Sequence, residues 1–143
     1  MPVPSSVIVA FSRAQAWVYS RSRGRVWGRF RGRDVLLLST IGSRSGRRRT
    51  TPLVYVRDGD SLVVTASNAG RDHDPGWVHN LRAEPSATVT TGERTRACAA
   101  RFAEGTEARE LFGRLVAHSP GFARYEAMTD RRFPVVVLTP EAP

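Results

Sequence analysis

Six short apolar runs dominate the sequence after residue 33 and limit the folds that this chain can adopt. They cover residues 34–40, 51–57, 61–66, 87–91, 94–102 and 134–138. Tight turns such as Asp58-Gly59-Asp60 join neighbouring runs, as in β-hairpins. Two helical segments interrupt the series, one over residues 75–83 and one from a Thr106 cap to the Pro120-Gly121 break. This pattern predicts a mainly β domain with α decoration, of the α+β class, built either as a small barrel or as an open sheet.

The most strongly charged stretch, Gly42–Leu53, begins between the first two of these runs. It contains four arginines within six residues, and Gly42 and Gly46 flank a Ser-Arg-Ser core. Glycine permits a positive φ or a close backbone approach, and free N–H groups in such a turn can form an anion-binding nest. Arginine supplies forked donors that fit phosphate or carboxylate. The stretch therefore predicts an anion-binding loop, with an idle solvated hairpin loop as the alternative. It does not match a Walker A loop, since no Gly-Lys-Ser/Thr follows.

Charge is distributed unevenly along the 143 residues. The chain has a formal charge of +9, and all 22 basic residues are arginine. Residues 1–50 carry a net charge of +10, whereas residues 51–143 carry −1. An anionic partner is therefore expected near the first third of the chain. The single cysteine, Cys98, excludes an internal disulfide and is expected to be a buried, inert thiol.

The first 33 residues predict a separate segment ahead of a domain over residues 34–143. Residues 5–20 have apolar side chains at helical spacing, and an arginine-rich connector with Trp27 and Phe30 follows. Such a helix either lies on an anionic membrane surface or packs on its own domain. No apolar run approaches the roughly 20 residues of a membrane span. We therefore expect a cytoplasmic protein, with the inner face of the membrane as the alternative location.

The remaining candidate metal-binding and catalytic residues are better explained by structural roles. Asp72-His73-Asp74 lacks a third element that would complete a metal site, so no metal is expected. His79 is expected to pack or cap a helix, and no G-x-S-x-G nucleophile motif occurs. Trp77 and Asn80 lie three apart and share a helix face, where they either hold an aromatic ligand or pack on the barrel.

The order of these features resembles the deazaflavin-dependent nitroreductase and quinone reductase family. The resemblance covers roughly residues 34–140 and rests on a series of motifs with characteristic spacing. They are Gly42-x-Arg44-Ser45-Gly46-x-x-Arg49-x-x-Pro52-Leu53, Arg57-Asp58-Gly59, Ala66-Ser67-x-x-Gly70, Pro75-x-Trp77-x-x-Asn80-Leu81 and Thr129-Asp130-Arg131. The family departs from this chain at Ser43 and Asn68, where it often has basic residues.

The resemblance implies a split β-barrel of the flavin-reductase, FMN-binding type that binds coenzyme F-420, a deazaflavin with a phospholactyl-oligoglutamate tail. It assigns the tail to the arginine-rich stretch, at Arg44, Ser45, Gly46 and Arg49. It assigns the deazaflavin ring to Pro52 and Leu53, its polar edge to Ala66, Ser67 and Asn68, and the remaining wall to Trp77 and Asn80. Split barrels often pair, so a homodimer is expected, and no nucleic-acid partner is expected.

The implied activity is hydride transfer from reduced F-420 to a small-molecule acceptor, which is a quinone, an enone or a nitroaromatic compound. Tyr125 and Ser67 are the candidate proton donors, with water as a competitor. Ser119, Phe122 and Tyr125 are the candidate acceptor-binding residues. Ser119 and Phe122 stand where nitroimidazole-reducing members carry tyrosines, which favours quinones or enones. One alternative is a related barrel that binds another flavin or haem, or that binds F-420 without turnover. The other is a basic module for nucleic acid or a membrane surface, in which the arginines contact a polymer.

Overall fold

The computed structural model describes residues 29–30, 33–92 and 94–142. Within them the chain forms eight strands, three helices and a 3-10 turn at Asn68–Gly70. The strands are β1 (Arg29–Phe30), β2 (Arg33–Ile41), β3 (Arg48–Val54), β4 (Val56–Asp58), β5 (Ser61–Thr65), β6 (Ser86–Thr91), β7 (Arg94–Phe102) and β8 (Val135–Pro140). The helices are α1 (Gly76–Ala83), α2 (Gly105–His118) and α3 (Gly121–Glu126).

The strands form one antiparallel sheet in which long β2 holds three partners. From β2 the strand order continues β6-β7-β8-β5-β4. Strand β3 pairs with the edge of β2 opposite β6, and short β1 pairs with the first two residues of β2. Strands β3 and β4 therefore terminate the two ends of the sheet, although a single residue, Tyr55, separates them in the chain. This arrangement confirms a mainly β fold with helical decoration, and it places two distant edges of the sheet side by side.

Two apolar clusters stabilise the sheet, one on each face. The first contains Leu36 and Leu38 of β2, Val136 and Leu138 of β8, and Trp77, Val78 and Leu81 of α1. Helix α1 thus packs one apolar side against the inner face of the curled sheet. The second cluster joins Leu111 and Leu115 of α2 with Phe122 of α3 and the outward-facing Val63, Val135 and Val137. Alternate residues of β5 and β8 are buried on both faces, which explains the continuous apolar runs in their sequences.

Tyr55 marks the largest difference from the predicted strands. The run over residues 51–57 was expected to be one strand, but β3 ends at Val54 and β4 starts at Val56. The chain changes partner here, because β3 pairs with β2 whereas β4 pairs with β5. Tyr55 is buried in the inner cluster and its N–H donates to the Asp34 carbonyl at 3.3 Å. Burial raises the pKa of its phenol, despite the opposing effect of Arg57.

Smaller differences concern the ends of elements. The prediction of six strands is wrong because β1 and the separate β4 add two to the described sheet. Thr106 does not cap α2, since the helix begins at Gly105 after Glu104. Pro75 precedes α1 instead of lying in its first turn. Cys98 is buried as predicted, and burial raises the pKa of its thiol.

The N-terminal expectations largely fall outside the described residues. These expectations are the helix over residues 5–20 and most of the basic connector that follows it. Arg29 and Phe30 form β1 and pair with Asp34 and Arg33 of β2. None of the helices in the described ranges is long and apolar enough to cross a membrane. The domain boundary after residue 33 stays a prediction.

Candidate functional site

A cleft of about 970 Å³ opens beside the edge strand β3. Its walls come from the β2–β3 loop, β3 itself, the end of β5 with the 3-10 turn, and helix α1. Ten of the residues predicted to bind the cofactor line this cleft, although they come from four separate parts of the chain. They are Arg44, Ser45, Arg49, Pro52, Leu53, Ala66, Ser67, Asn68, Trp77 and Asn80.

The β2–β3 loop, residues 42–47, is here called the arginine loop. Its backbone closes on itself, because the Gly42 N–H donates to the Arg47 carbonyl at 2.7 Å and the Gly46 N–H donates to the Gly42 carbonyl at 2.9 Å. Gly46 has a φ of +68°, a conformation that favours glycine. A Cβ on Gly42 would lie 2.6 Å from the Ser45 hydroxyl oxygen. Gly46 therefore supplies the positive φ that the loop needs, and Gly42 allows the close approach of Ser45 and of the Arg47 carbonyl oxygen, which would lie 3.2 Å from the same Cβ.

Four of the six N–H groups of this loop are bonded within the protein. The N–H groups of Gly42, Ser43, Gly46 and Arg47 all donate to protein acceptors, the last of them to the Ser45 hydroxyl at 3.1 Å. A backbone nest is therefore limited to the N–H groups of Arg44 and Ser45 and stays a prediction, while the guanidinium groups supply the fixed positive charge. Gly46 itself does not line the cleft and contributes through the turn.

One end of the cleft is strongly basic. Arg44, Arg48 and Arg49 line it with exposed side chains, and no Asp or Glu occurs among the described residues of its lining. The resemblance assigned the tail to Arg44 and Arg49, and Arg48, which can compensate for the basic residues that the family has at Ser43 and Asn68, belongs to the same run of arginines. Three fixed cations without a neighbouring carboxylate in the lining attract an anion with several charges.

The other end of the cleft is apolar and rigid. Pro52 and Leu53 lie on β3 opposite Leu37 and Leu36 of β2. Proline lacks an N–H and is suited to an edge strand, and in the described sheet β3 pairs with β2 alone. Trp77 is 5% exposed and belongs both to the inner cluster and to the cleft lining. These side chains can hold the flat face of an aromatic ligand.

The 3-10 turn at Asn68–Gly70 forms a polar edge at the apolar end of the cleft. Its backbone conformation is uncommon. Asn68 and Ala69 have φ values of 47° and 55°, and Gly70 follows with 79°. Two consecutive non-glycine residues in the left-handed region are unfavourable unless their surroundings hold them there. The Asn68 side chain donates to the His73 carbonyl at 3.0 Å and stabilises the turn from within.

Arg131 holds the same turn from behind. Its guanidinium donates to the carbonyls of Ala66 at 3.1 Å, Ser67 at 2.9 Å and Arg71 at 3.0 Å. It also bonds the carboxylate of Asp74 and lies over the Phe133 ring, 4.7 Å from the ring centroid. A planar guanidinium can bind several acceptors in one fixed geometry. Arg131 therefore sets the backbone path that brings Ser67 and Asn68 to the cleft.

Asn80 connects helix α1 to the arginine loop. Its Oδ1 accepts a hydrogen bond from the Ser43 N–H at 2.9 Å, and its Nδ2 donates to the Thr40 Oγ1 at 3.0 Å. The side chain is 7% exposed, and Thr40 is 2% exposed. The buried amide is thus bonded at both ends to protein groups.

His79 also lines the cleft, although the sequence suggested a packing or capping role. It is exposed and follows the buried Trp77 and Val78 in α1. The helical pattern places apolar residues on the inner face, but it cannot show that the opposite side borders a cavity. That information depends on where β3 and the arginine loop lie relative to the helix.

Three predicted residues lie elsewhere. Phe122 is buried in the outer cluster, and half-buried Tyr125 packs against it. Ser119 follows the last residue of α2. Helix α3 instead supports the back of the 3-10 turn, because a Cβ on Gly70 would lie 3.1 Å from the Tyr125 carbonyl oxygen. The proposed roles of these three residues toward an acceptor stay predictions.

The model of the F-420H(2)-dependent quinone reductase family matches residues 11–140. The chain belongs to this family. The prediction of an oxidoreductase that uses reduced coenzyme F-420 is confirmed.

Individual relatives agree with this assignment. An F-420H(2)-dependent quinone reductase of Mycobacterium tuberculosis is 35% identical over 138 residues, with 85% of each chain covered. The solved structure of an F-420-H2 dependent reductase, FDR-A, matches with a TM-score of 0.67 at 31% identity, over 73% of this chain and 92% of that one.

Two further structures extend the comparison of the fold. One, described as a domain-swapped dimer, has a TM-score of 0.71 at 27% identity and covers 94% of this chain and 99% of its own. The haem storage protein HutZ from Vibrio cholerae has a TM-score of 0.59 at 15% identity, over 88% of this chain and 89% of its own. At that identity the likeness concerns the fold alone. Together with FDR-A it confirms the predicted split barrel.

Proposed function

We propose that this protein transfers a hydride from reduced coenzyme F-420 to a quinone, and that the cleft beside β3 is the site of the reaction. The observation that carries the proposal is the division of a single cleft into a basic end and an apolar end. Arg44, Arg48 and Arg49 occupy the first, and Pro52, Leu53 and Trp77 occupy the second. F-420 has the same division, since it joins an anionic tail to a flat aromatic ring.

The lining residues fit this cofactor in size and charge. A cleft of about 970 Å³ is large enough for a ligand that combines a tricyclic ring with a tail. Arg44, Arg48 and Arg49 would hold the phosphate and carboxylates, with Ser45 beside them. Pro52, Leu53 and Trp77 would hold the ring, and Ala66, Ser67 and Asn68 would face its polar edge.

Bound F-420 in its reduced form would supply the hydride. The protein's contribution is to fix the ring against a rigid wall and to leave one face open to the acceptor. Holding donor and acceptor at about 3–3.5 Å accounts for much of the rate that such an enzyme can achieve. The quinone accepts the hydride and gains a proton, which yields the hydroquinone.

The proton can come from the Ser67 hydroxyl or from water. Ser67 is 8% exposed and lines the cleft at its polar edge. Tyr125 is the second predicted donor, but it packs against the outer cluster instead of lining the cleft. The geometry thus favours Ser67 over Tyr125 as the protein donor.

The same geometry supports a quinone as the acceptor. Among the described lining residues there is no tyrosine, whereas the polar groups near the apolar end are Ser67, Asn68 and Thr65. A quinone stacked on the open face of the bound ring needs one proton source, which Ser67 offers. We expect slower reduction of a bicyclic nitroimidazole, in agreement with Ser119 and Phe122 in the sequence.

The test follows F-420 absorbance in the presence of menadione, an enone and a bicyclic nitroimidazole. We expect oxidation of reduced F-420 with menadione to be the fastest of the three. NADPH and reduced FMN serve as control donors, and consumption of either in place of F-420 would overturn the proposal. In the same assay, Ser67→Ala and Tyr125→Phe separate the two candidate proton donors. A loss of about 10²–10⁴-fold in turnover identifies the donor, and retained turnover in both variants identifies water.

The assembly and location of the protein are part of the same proposal. We infer a homodimer from the likeness to a structure described as a domain-swapped dimer. The cytoplasmic location, and contact of the N-terminal helix with the inner face of the membrane, stay predictions from the sequence.

A further inference from the structure

The side chain of Asn80 has both of its functional ends bonded to protein groups. The Oδ1 faces a backbone N–H of Ser43, which can only donate, so the oxygen and nitrogen of the amide cannot be exchanged without losing that bond. The Nδ2 then faces the Thr40 hydroxyl, whose oxygen can accept. The two partners lie 37 and 40 residues away in the sequence. The orientation of the amide is therefore determined by the elements around it.

The hydrogen bond from the Ser43 N–H to the Asn80 Oδ1 tethers the arginine loop to helix α1. The other hydrogen bonds of residues 43–47 in the described structure close the loop on Gly42 and on its own side chains. They define the shape of the loop, and the pairing of β2 with β3 up to Ile41 and Arg48 joins its two ends to the sheet. Among the hydrogen bonds of the described residues, the one from Ser43 to Asn80 joins residues 43–47 to a different element. Arg44, the first arginine of the cleft, is the next residue in the chain.

The Thr40 bond makes the tether rigid. Thr40 is buried in β2, two residues before the loop begins, and it does not line the cleft. Its hydroxyl accepts from the Nδ2 and limits rotation of the amide, so the Oδ1 stays aimed at Ser43. A buried, fully bonded amide of this kind has a defined position that an exposed loop lacks by itself.

We propose that Asn80 is a positioning residue, which fixes the arginine loop to helix α1 and thereby places Arg44 for the cofactor tail. Its amide acts through Ser43. The resemblance instead implied that Asn80 is part of the wall against the ring. The inference rests on the proposed function, because it assumes that the arginines bind the tail of F-420.

The first experiment compares two ligands that differ only in the tail, F-420 and the corresponding deazaflavin riboside without phosphate or glutamates. Fluorescence titration measures the dissociation constant of each. In Asn80→Ala we expect binding of F-420 to weaken about tenfold, while binding of the tail-less deazaflavin changes less than about twofold. Equal weakening of both ligands would mean that Asn80 contacts the ring, and would overturn the inference.

Thr40→Val is the matched variant, because it removes the other end of the same network at a residue outside the cleft. We expect this variant, like Asn80→Ala, to weaken binding of F-420. The double variant should bind F-420 no more weakly than Asn80→Ala alone. Additive effects of the two changes would contradict a shared network. Thr40→Val also serves if Asn80→Ala does not fold, since valine has nearly the same shape as threonine.

The second experiment needs no cofactor. Amide hydrogen exchange of the free protein reports on the Ser43 N–H directly, and we expect its protection to fall at least about tenfold in Asn80→Ala. Unchanged exchange at Ser43 would overturn the inference whatever the binding data show. Increased exchange at Ser43 supports the tether even if Arg44→Ala leaves F-420 binding intact. In that case the tail assignment of the proposed function fails and the tether does not.

Discussion

At the scale of single residues, the arginines of the cleft differ from their neighbour Arg47. Arg44 and Arg49 line the cleft, whereas Arg47 is an exposed part of the same run that does not. We expect Arg44→Ala and Arg49→Ala each to weaken F-420 binding by roughly 1.5–3 kcal/mol, the range for hydrogen bonds to charged groups. Turnover at saturating cofactor should change much less, because the tail does not react. Equilibrium titration with F-420 measures the effect.

Arg47→Ala is the control for this experiment, since it removes the same charge from the same loop. It should change the affinity only through long-range electrostatics, and that small effect should vanish at high ionic strength. If all three variants bind F-420 with equal affinity, the assignment of the tail to the basic end is wrong.

At the scale of elements, the 3-10 turn depends on a side chain far from it in the sequence. Arg131 bonds three carbonyls around the turn and the Asp74 carboxylate, and its guanidinium is largely buried. Removal takes the guanidinium donors from these acceptors and leaves left-handed Asn68 and Ala69 with the hydrogen bonds inside the turn alone. We expect Arg131→Ala to lower the free energy of unfolding by about 1.5–3 kcal/mol. Urea denaturation measures this change.

The adjacent Arg132 provides the comparison, because its side chain is exposed. Arg132→Ala should alter the free energy of unfolding by no more than about 0.5 kcal/mol, as is usual for surface positions. Similar losses of unfolding free energy in both variants would show that the hydrogen bonds of Arg131 contribute little to stability.

At the scale of the whole molecule, we expect a homodimer. The prediction rests on a likeness over 94% of the chain to a structure described as a domain-swapped dimer. Light scattering coupled to gel filtration should give twice the chain mass of 15.8 kDa at micromolar concentration. A mass of a single chain over the whole accessible concentration range would contradict it.

The sequence was sufficient for much of the fold and for the composition of the site. Strand β2 and the Gly59 turn follow from local rules, because a short apolar run and glycine at positive φ act over a few residues. Helix α1 could likewise be located before Pro85. The motif from Gly42 to Asn80 further indicated which residues would meet, since ten of them do line one cleft.

Other features depended on contacts between distant parts of the chain. The strand break at Tyr55 arises because the chain crosses from one end of the sheet to the other, and a continuous apolar run does not reveal a change of partner. The lining positions of Arg48 and His79 depend on how the loop and α1 face each other. Tyr125 packs against the outer cluster and is not among the lining residues of the cleft, and its expected role near the acceptor stays a prediction.

The sequence by itself determined the chemistry available to this protein: a run of arginines for an anion, an apolar strand with a proline for a ring, and a helix that carries Trp77 and Asn80. These are properties of residue types and spacing, so they can be recognised without coordinates. Only the tertiary structure decided what each polar group bonds. Four of the six loop N–H groups are bonded within the protein, Asn80 is bonded to Ser43 and Thr40, and Arg131 holds the turn that carries Ser67. A hydrogen bond joins two specific atoms within about 3 Å, and residues 40 positions apart reach that distance only through the packing of the whole fold.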